Sequence, residues 1–143
     1  MRMVPLAPKC GVEVEDVNLA EAEGDTLTAI KQAIYTHGVA LFRGQADFTP
    51  EAHIAFAQRW GGIDINNYFP LTDEHPEIAV VRKRADQVTN IGGGWHTDHS
   101  YDQVHAMGPI LVARTLPPRG GDTLWAHTGQ SLSRRTIAGP TAP

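Results

Sequence analysis

His96 and Asp98 stand two residues apart in Gly92-Gly93-Gly94-Trp95-His96-Thr97-Asp98-His99-Ser100-Tyr101. On an extended backbone that spacing sends both side chains to one face. An imidazole nitrogen and a carboxylate oxygen side by side are two of the three donors of a 2-His-1-carboxylate facial triad. Such a triad suits non-haem Fe(II), because three protein ligands leave open positions for a cosubstrate and O₂. The other reading of an isolated His-x-Asp is the polar end of a strand, and on these residues alone both readings stand.

The elements that must position this segment are short. Pro5–Leu19 alternates apolar and polar residues and is read as holding a short strand. Asp25–Thr36 is read as a helix, with Leu27, Ile30 and Ile34 at helical spacing and His37-Gly38 as its stop. Val39–Phe42 is β-rich between Gly38 and Gly44 and reads as a buried strand. Thr49-Pro50-Glu51 starts a second helix: an N-cap, a proline at the first position and an acid in the first turn. That helix is expected to run to Trp60, burying Phe56, Ala57 and Trp60, and to end at Gly61-Gly62. Further strands are expected at Ile78–Arg82, Ile110–Leu116 and Asp122–Ala126, the last two joined as a hairpin by Pro117–Gly121. Period 2 then places Thr123 and Trp125 on one face.

Composition narrows the classes. The chain has 143 residues, 12 basic and 16 acidic, for a formal net charge of −4. With no basic cluster, nucleic acid is not an expected partner. Hydrophobic residues at 41% and charged residues at 20% suit a soluble globular chain. No apolar run reaches membrane-spanning length, and the N-terminus lacks a signal-peptide core. Cys10 is the single cysteine, which fits a reducing compartment and makes the cytoplasm the expected location.

Several motifs together resemble a known family. Gly-Val-Ala-Leu-Phe-Arg-Gly-Gln occupies 38–45, and the Thr49 helix ends Gln58-Arg59-Trp60-Gly61. Trp95-His96-Thr97-Asp98 follows the glycine run, and Pro117-Pro118-Arg119-Gly120-Gly121-Asp122-Thr123 comes later. From about Val4 to Trp125 the chain resembles the taurine dioxygenase and 2,4-dichlorophenoxyacetate dioxygenase family of Fe(II)/2-oxoglutarate-dependent oxygenases. The resemblance implies an α+β fold built on a double-stranded β-helix, or jelly roll, with helices packed outside. It implies that His96 and Asp98 are the first two iron ligands and that the Thr123 hydroxyl bonds a 2-oxoglutarate carboxylate. Fe(II) would be the cofactor, with 2-oxoglutarate and O₂ as cosubstrates. The implied partner is a small organic acid of the sulfonate, sulfate ester or aryloxy acid class, which the enzyme hydroxylates.

The chain also departs from the family. The third ligand is a histidine far downstream, followed by an arginine that pairs with the distal carboxylate of 2-oxoglutarate. His99 and His105 are too near Asp98, and His127 directly follows the Thr123 strand. The jelly roll is therefore expected to be incomplete, with exposed apolar faces that favour association between copies. Residues 1–125 are read as the N-terminal part of the dioxygenase domain. Residues 126–143 lack periodicity and are read as a non-matching, disordered tail, with a frameshift, truncation or gene-model error expected near residue 126. A catalytically inactive fragment is thus the alternative reading. A cupin-like binding module is a third, against which the absence of a His-x-His pattern weighs.

For the substrate, the family histidine that contacts the taurine sulfonate matches Asn66, and an asparagine contact four residues before the first ligand falls at Gly92. Both departures argue against taurine itself. Asn66, Tyr68 and His99 are the candidate substrate-facing residues. For Asn66 and Tyr68 the alternative is a surface turn. His53 lies on the apolar helix face with Phe56 and is read as a partly buried packing residue.

Overall fold

The computed structural model describes residues 1–65, 74–98 and 100–129. These form two compact units: Met1–Asp47 with the described residues from Thr115 onward, and Phe48–Arg114.

The first unit carries the sheet. Strands β1 (Arg2–Pro5) and β2 (Val12–Glu15) pair antiparallel, with Met3 opposite Val14 and Val4 opposite Glu13. Gly11 closes the turn between them at φ 83°, a conformation glycine adopts freely, and its carbonyl accepts from the Leu6 amide at 3.0 Å. A single 3-10 turn at Leu19–Glu21 leads to α1 (Gly24–His37), which returns the chain to β3 (Ala40–Leu41). Strand β3 runs parallel to β2, so β2 is the central strand. Helix α1 buries Ile30 and Ala33, and Val12, Val14 and Ala33 form a core onto which Val17, Ala40 and Phe42 pack. Fully burying Val12, Val14 and Ile30 contributes on the order of 2 kcal/mol each. Gly38 ends α1 at φ 78°, its amide donating to Ile34 at 2.7 Å.

The second unit begins with Phe48 and α2 (Pro50–Gln58). The Thr49 hydroxyl caps α2 by accepting from the Ala52 amide at 3.2 Å, and Pro50 fills the position that needs no amide. At the other end the amides of Arg59, Trp60 and Gly61 donate three residues back, so the last turn tightens. Phe48 and Phe56 meet edge to face at 6.0 Å, and Phe56 meets Trp60 in the same way at 5.9 Å.

The helices follow the sequence expectation closely, but three expected strands do not form. Ile78–Arg82 shows only an isolated bridge at Ala79, and Ile110–Leu116 and Asp122–Ala126 are irregular. The hairpin about Pro117–Gly121 is therefore not built either. A strand exists only through hydrogen bonds to a neighbour, and no described strand pairs with these segments. Their apolar side chains stay in water: Val81, Leu111, Leu116 and Leu124 are 57–74% exposed. The architecture among the described residues is thus mixed α+β, without a complete jelly roll. None of these residues forms a helix long and apolar enough to cross a membrane.

Candidate metal-binding segment

The glycine run shapes the backbone ahead of His96. Gly92 turns the chain at φ 67°, and Trp95-His96-Thr97 follow as irregular backbone. His96 bends its ring back so that Nδ1 lies 2.8 Å from the Gly94 carbonyl. A carbonyl only accepts, so Nδ1 carries the hydrogen and donates it. In the neutral ring the lone pair is then on Nε2.

Nε2 faces Asp98, with Oδ1 3.2 Å away. The two side chains meet although the backbone between them is not a strand. An imidazole lone pair and a carboxylate oxygen at that distance repel unless a cation lies between them. A proton on Nε2 makes an ordinary ion pair; a metal ion makes two ligand bonds. Metal bonds to nitrogen and oxygen of about 2.1 Å span a separation of this size from adjacent coordination positions, so the donor pair fits a first-row divalent ion. The orientation has the form of a metal-ligating histidine whose other nitrogen is held by a backbone carbonyl. Both side chains are open to solvent, at 57% and 46% exposure. Beside them the Thr97 and Ser100 hydroxyls share a hydrogen bond of 2.5 Å.

The remaining expected site residues are placed differently. Thr123 is exposed in an irregular segment of the first unit, not on a strand, so period 2 does not set its direction. Asn66, Tyr68 and His99 lie outside the described residues, as does most of the 126–143 segment. Among the described residues no group of three His, Cys, Asp or Glu side chains is arranged to hold a metal. His127 sits instead in the first unit, its ring against Gly38 and Gly129. The Gly94 carbonyl escaped the sequence reading, since no side chain announces it; the glycine run was the available signal. The bond from His53 to the Ile110 carbonyl, 3.1 Å from Nε2, was equally invisible. That imidazole is half-buried, and its burial holds it below the ordinary histidine value; the Ile110 hydrogen bond opposes the shift and Arg114 adds to it.

A family model described as taurine catabolism dioxygenase TauD, TfdA family matches residues 2–134. The chain belongs to the TauD, TfdA family. Members of TauD, TfdA are dioxygenases, and several relatives of this chain are named for their dependence on alpha-ketoglutarate, which is 2-oxoglutarate. An alpha-ketoglutarate-dependent sulfate ester dioxygenase of Pseudomonas putida is 30% identical over 125 residues, covering 87% of this chain and 40% of the relative. The alpha-ketoglutarate-dependent 2,4-dichlorophenoxyacetate dioxygenase of Cupriavidus pinatubonensis is 32% identical over 136 residues, covering 83% and 47%. An alpha-ketoglutarate-dependent sulfonate dioxygenase of Saccharomyces cerevisiae is 25% identical over 144 residues, covering 94% and 35%. The chain thus spans 35–47% of the length of these TauD, TfdA relatives. The matched region contains His96, Asp98 and Thr123.

Proposed function

We propose that this chain supplies the first part of the active site of an Fe(II)/2-oxoglutarate-dependent dioxygenase that hydroxylates a small organic acid. The observation that carries this reading is the pairing of His96 Nε2 with Asp98 Oδ1 at 3.2 Å while Nδ1 is turned to Gly94. His96 and Asp98 would hold Fe(II). Bound iron supplies activation of O₂ at the cost of 2-oxoglutarate, which leaves as succinate and CO₂.

The protein's own part is to bind and orient. The Gly94 carbonyl keeps the hydrogen on Nδ1 and leaves Nε2 free as a donor. Asp98 contributes an anionic oxygen that offsets part of the metal charge. Thr123 would donate its hydroxyl to a 2-oxoglutarate carboxylate, and Asn66, Tyr68 and His99 would face the substrate. The sulfonate, sulfate ester and aryloxy acid dioxygenases among the relatives favour an anionic organic substrate of one of these classes.

A second reading, that this chain alone does not turn over, rests on the two-donor set among the described residues. Two fixed donors hold Fe(II) more weakly than three. The test is anaerobic addition of Fe(II) and 2-oxoglutarate with visible spectroscopy. A charge-transfer band that vanishes in His96→Ala supports the dioxygenase site on this chain. Absence of the band supports the second reading. A band unchanged in His96→Ala overturns the ligand assignment.

A further inference from the structure

We infer that Lys83 and Asn90 form an anion clamp that holds the acidic group of the substrate beside the metal-binding segment. The inference deepens the proposed function and rests on it for the role of the anion.

A short hydrogen-bonded loop builds the clamp. The Gln87 amide donates to the Arg84 carbonyl at 3.1 Å, and Gln87 Nε2 donates to the Thr89 carbonyl at 2.9 Å. The chain folds back on itself, and Lys83 on one arm meets Asn90 on the other, Nζ donating to Oδ1. An ammonium only donates, so the Asn90 oxygen is turned to Nζ and its amide nitrogen faces away. The remaining ammonium hydrogens and those of Asn90 Nδ2 are left for an acceptor.

The charge balance singles out Lys83. Arg84 is neutralised within the loop by Asp86, through Nε at 3.0 Å and Nη2 at 3.2 Å. Lys83 is held by a neutral amide and has no carboxylate partner among the described residues. An ammonium fixed by a neutral acceptor keeps its full charge for an incoming anion.

The glycine run places the clamp. A Cβ at Gly93 would stand 3.3 Å from Asn90 Cβ, and one at Gly92 would stand 3.3 Å from His96 Cε1. Asn90 and His96 thus lie against consecutive residues, whose Cα atoms are about 3.8 Å apart. A small organic acid on the clamp can reach a metal held by His96 and Asp98. In the sequence between Asn90 and His96 the chain exposes Ile91 and Trp95, at 52% and 71%. Their apolar surfaces suit the carbon body of such an acid. The ligand is therefore an amphiphilic anion: a carboxylate, sulfonate or sulfate on an apolar body.

The test uses the full chain without metal and two anions, hexyl sulfate and 2,4-dichlorophenoxyacetate. NMR follows the side chains of Lys83 and Asn90. At least one anion is expected to shift both, while the neutral 2,4-dichlorophenoxyacetamide shifts neither. Lys83→Met is expected to weaken binding about 3–10-fold, with Lys83→Arg retaining more of it. Arg82→Met, which removes the neighbouring charge, is expected to stay within about twofold of native. Asn90→Asp gives Lys83 a carboxylate of its own and is expected to weaken binding more than Asn90→Ala. These positions are all exposed, so the variants are expected to fold. The clamp is overturned if neither anion shifts the two side chains. It is also overturned if Lys83→Met binds as tightly as native, or if Arg82→Met loses as much as Lys83→Met.

Iron separates the clamp from the reading beneath it. The Fe(II) and 2-oxoglutarate band seen without anion binding at Lys83 overturns the clamp alone. Anion binding without the band supports the clamp and counts against iron on this chain. With Co(II) bound at His96, the protons of the bound anion are expected to broaden. Anion signals that stay sharp overturn its placement beside the metal.

Discussion

His127 lays its imidazole against Gly38, so closely that a Cβ at Gly38 would stand 3.0 Å from His127 Cδ2. The contact joins the C-terminal cap of α1 to the chain just beyond Thr123, within the first unit. Gly38→Ala meets two penalties, the left-handed φ of 78° and the ring. A loss of about 1–2 kcal/mol is expected in denaturant unfolding. Combining it with His127→Ala should remove the ring part and leave the backbone part. A double-mutant cycle with no coupling would show that the contact does not bear on stability.

Gln45 ties three backbone groups together. Its Oε1 accepts from the Leu19 amide at 3.0 Å, and its Nε2 donates to the Val17 and Arg43 carbonyls at 2.9 and 3.0 Å. The clamp joins the end of the 38–45 motif to the segment after β2. Gln45→Ala leaves these groups to find water and is expected to cost about 1–2 kcal/mol. Hydrogen exchange should show the Leu19 amide losing protection before Val14 does. Unchanged protection at Leu19 would count against the clamp.

Burial of His53 makes stability depend on pH in a defined direction. Its folded value lies below the ordinary 6.5, so below that value the unfolded chain binds the proton more readily. The contribution of neutral His53 is complete above about pH 6.5 and is lost as pH falls toward the folded value. Unfolding followed across this interval should show stability falling on acidification, with a shallower fall in His53→Gln. A steeper or equal fall in the variant would place the proton elsewhere.

In the longest active form of the protein, His96→Ala and Asp98→Ala should each abolish succinate formation from 2-oxoglutarate. Removal of iron by a chelator should do the same, with activity restored by Fe(II). Turnover by either variant near the native rate would refute the assignment. A smaller loss is expected for Thr123→Ala, seen as weaker 2-oxoglutarate binding, because one neutral hydrogen bond is removed.

Local signals were readable in the sequence and non-local ones were not. Thr49-Pro50-Glu51 and Gly38 specify helix ends by bonds a few residues long, and α2 and α1 begin and end beside them. The Pro5–Leu19 alternation located β2 but not its partner, because Arg2–Pro5 holds only four residues and a proline. Ile110–Leu116 has strand composition yet forms none, since composition cannot supply the neighbour that a ladder requires. In the candidate site, His96 and Asp98 do meet, but on irregular backbone rather than on the extended strand that the spacing argument assumed. The carbonyl that orients His96 belongs to the backbone of Gly94, and backbone direction is set by φ and ψ rather than by residue type.

The two sides of β2 imply different assembly times. Its antiparallel pairing with β1 closes over a short turn, and a hairpin of that kind forms in about 1–10 μs. Its parallel pairing sets Val12 opposite Ala40, with all of α1 between them. That pairing must wait for a longer loop to close and for Ile30 and Ala33 to seat. Strand β2 is therefore first an arm of a local hairpin and later the template that recruits β3. As a ribosome releases this chain, the hairpin can exist before the 38–45 motif has emerged, and the motif is captured by a partner already in place.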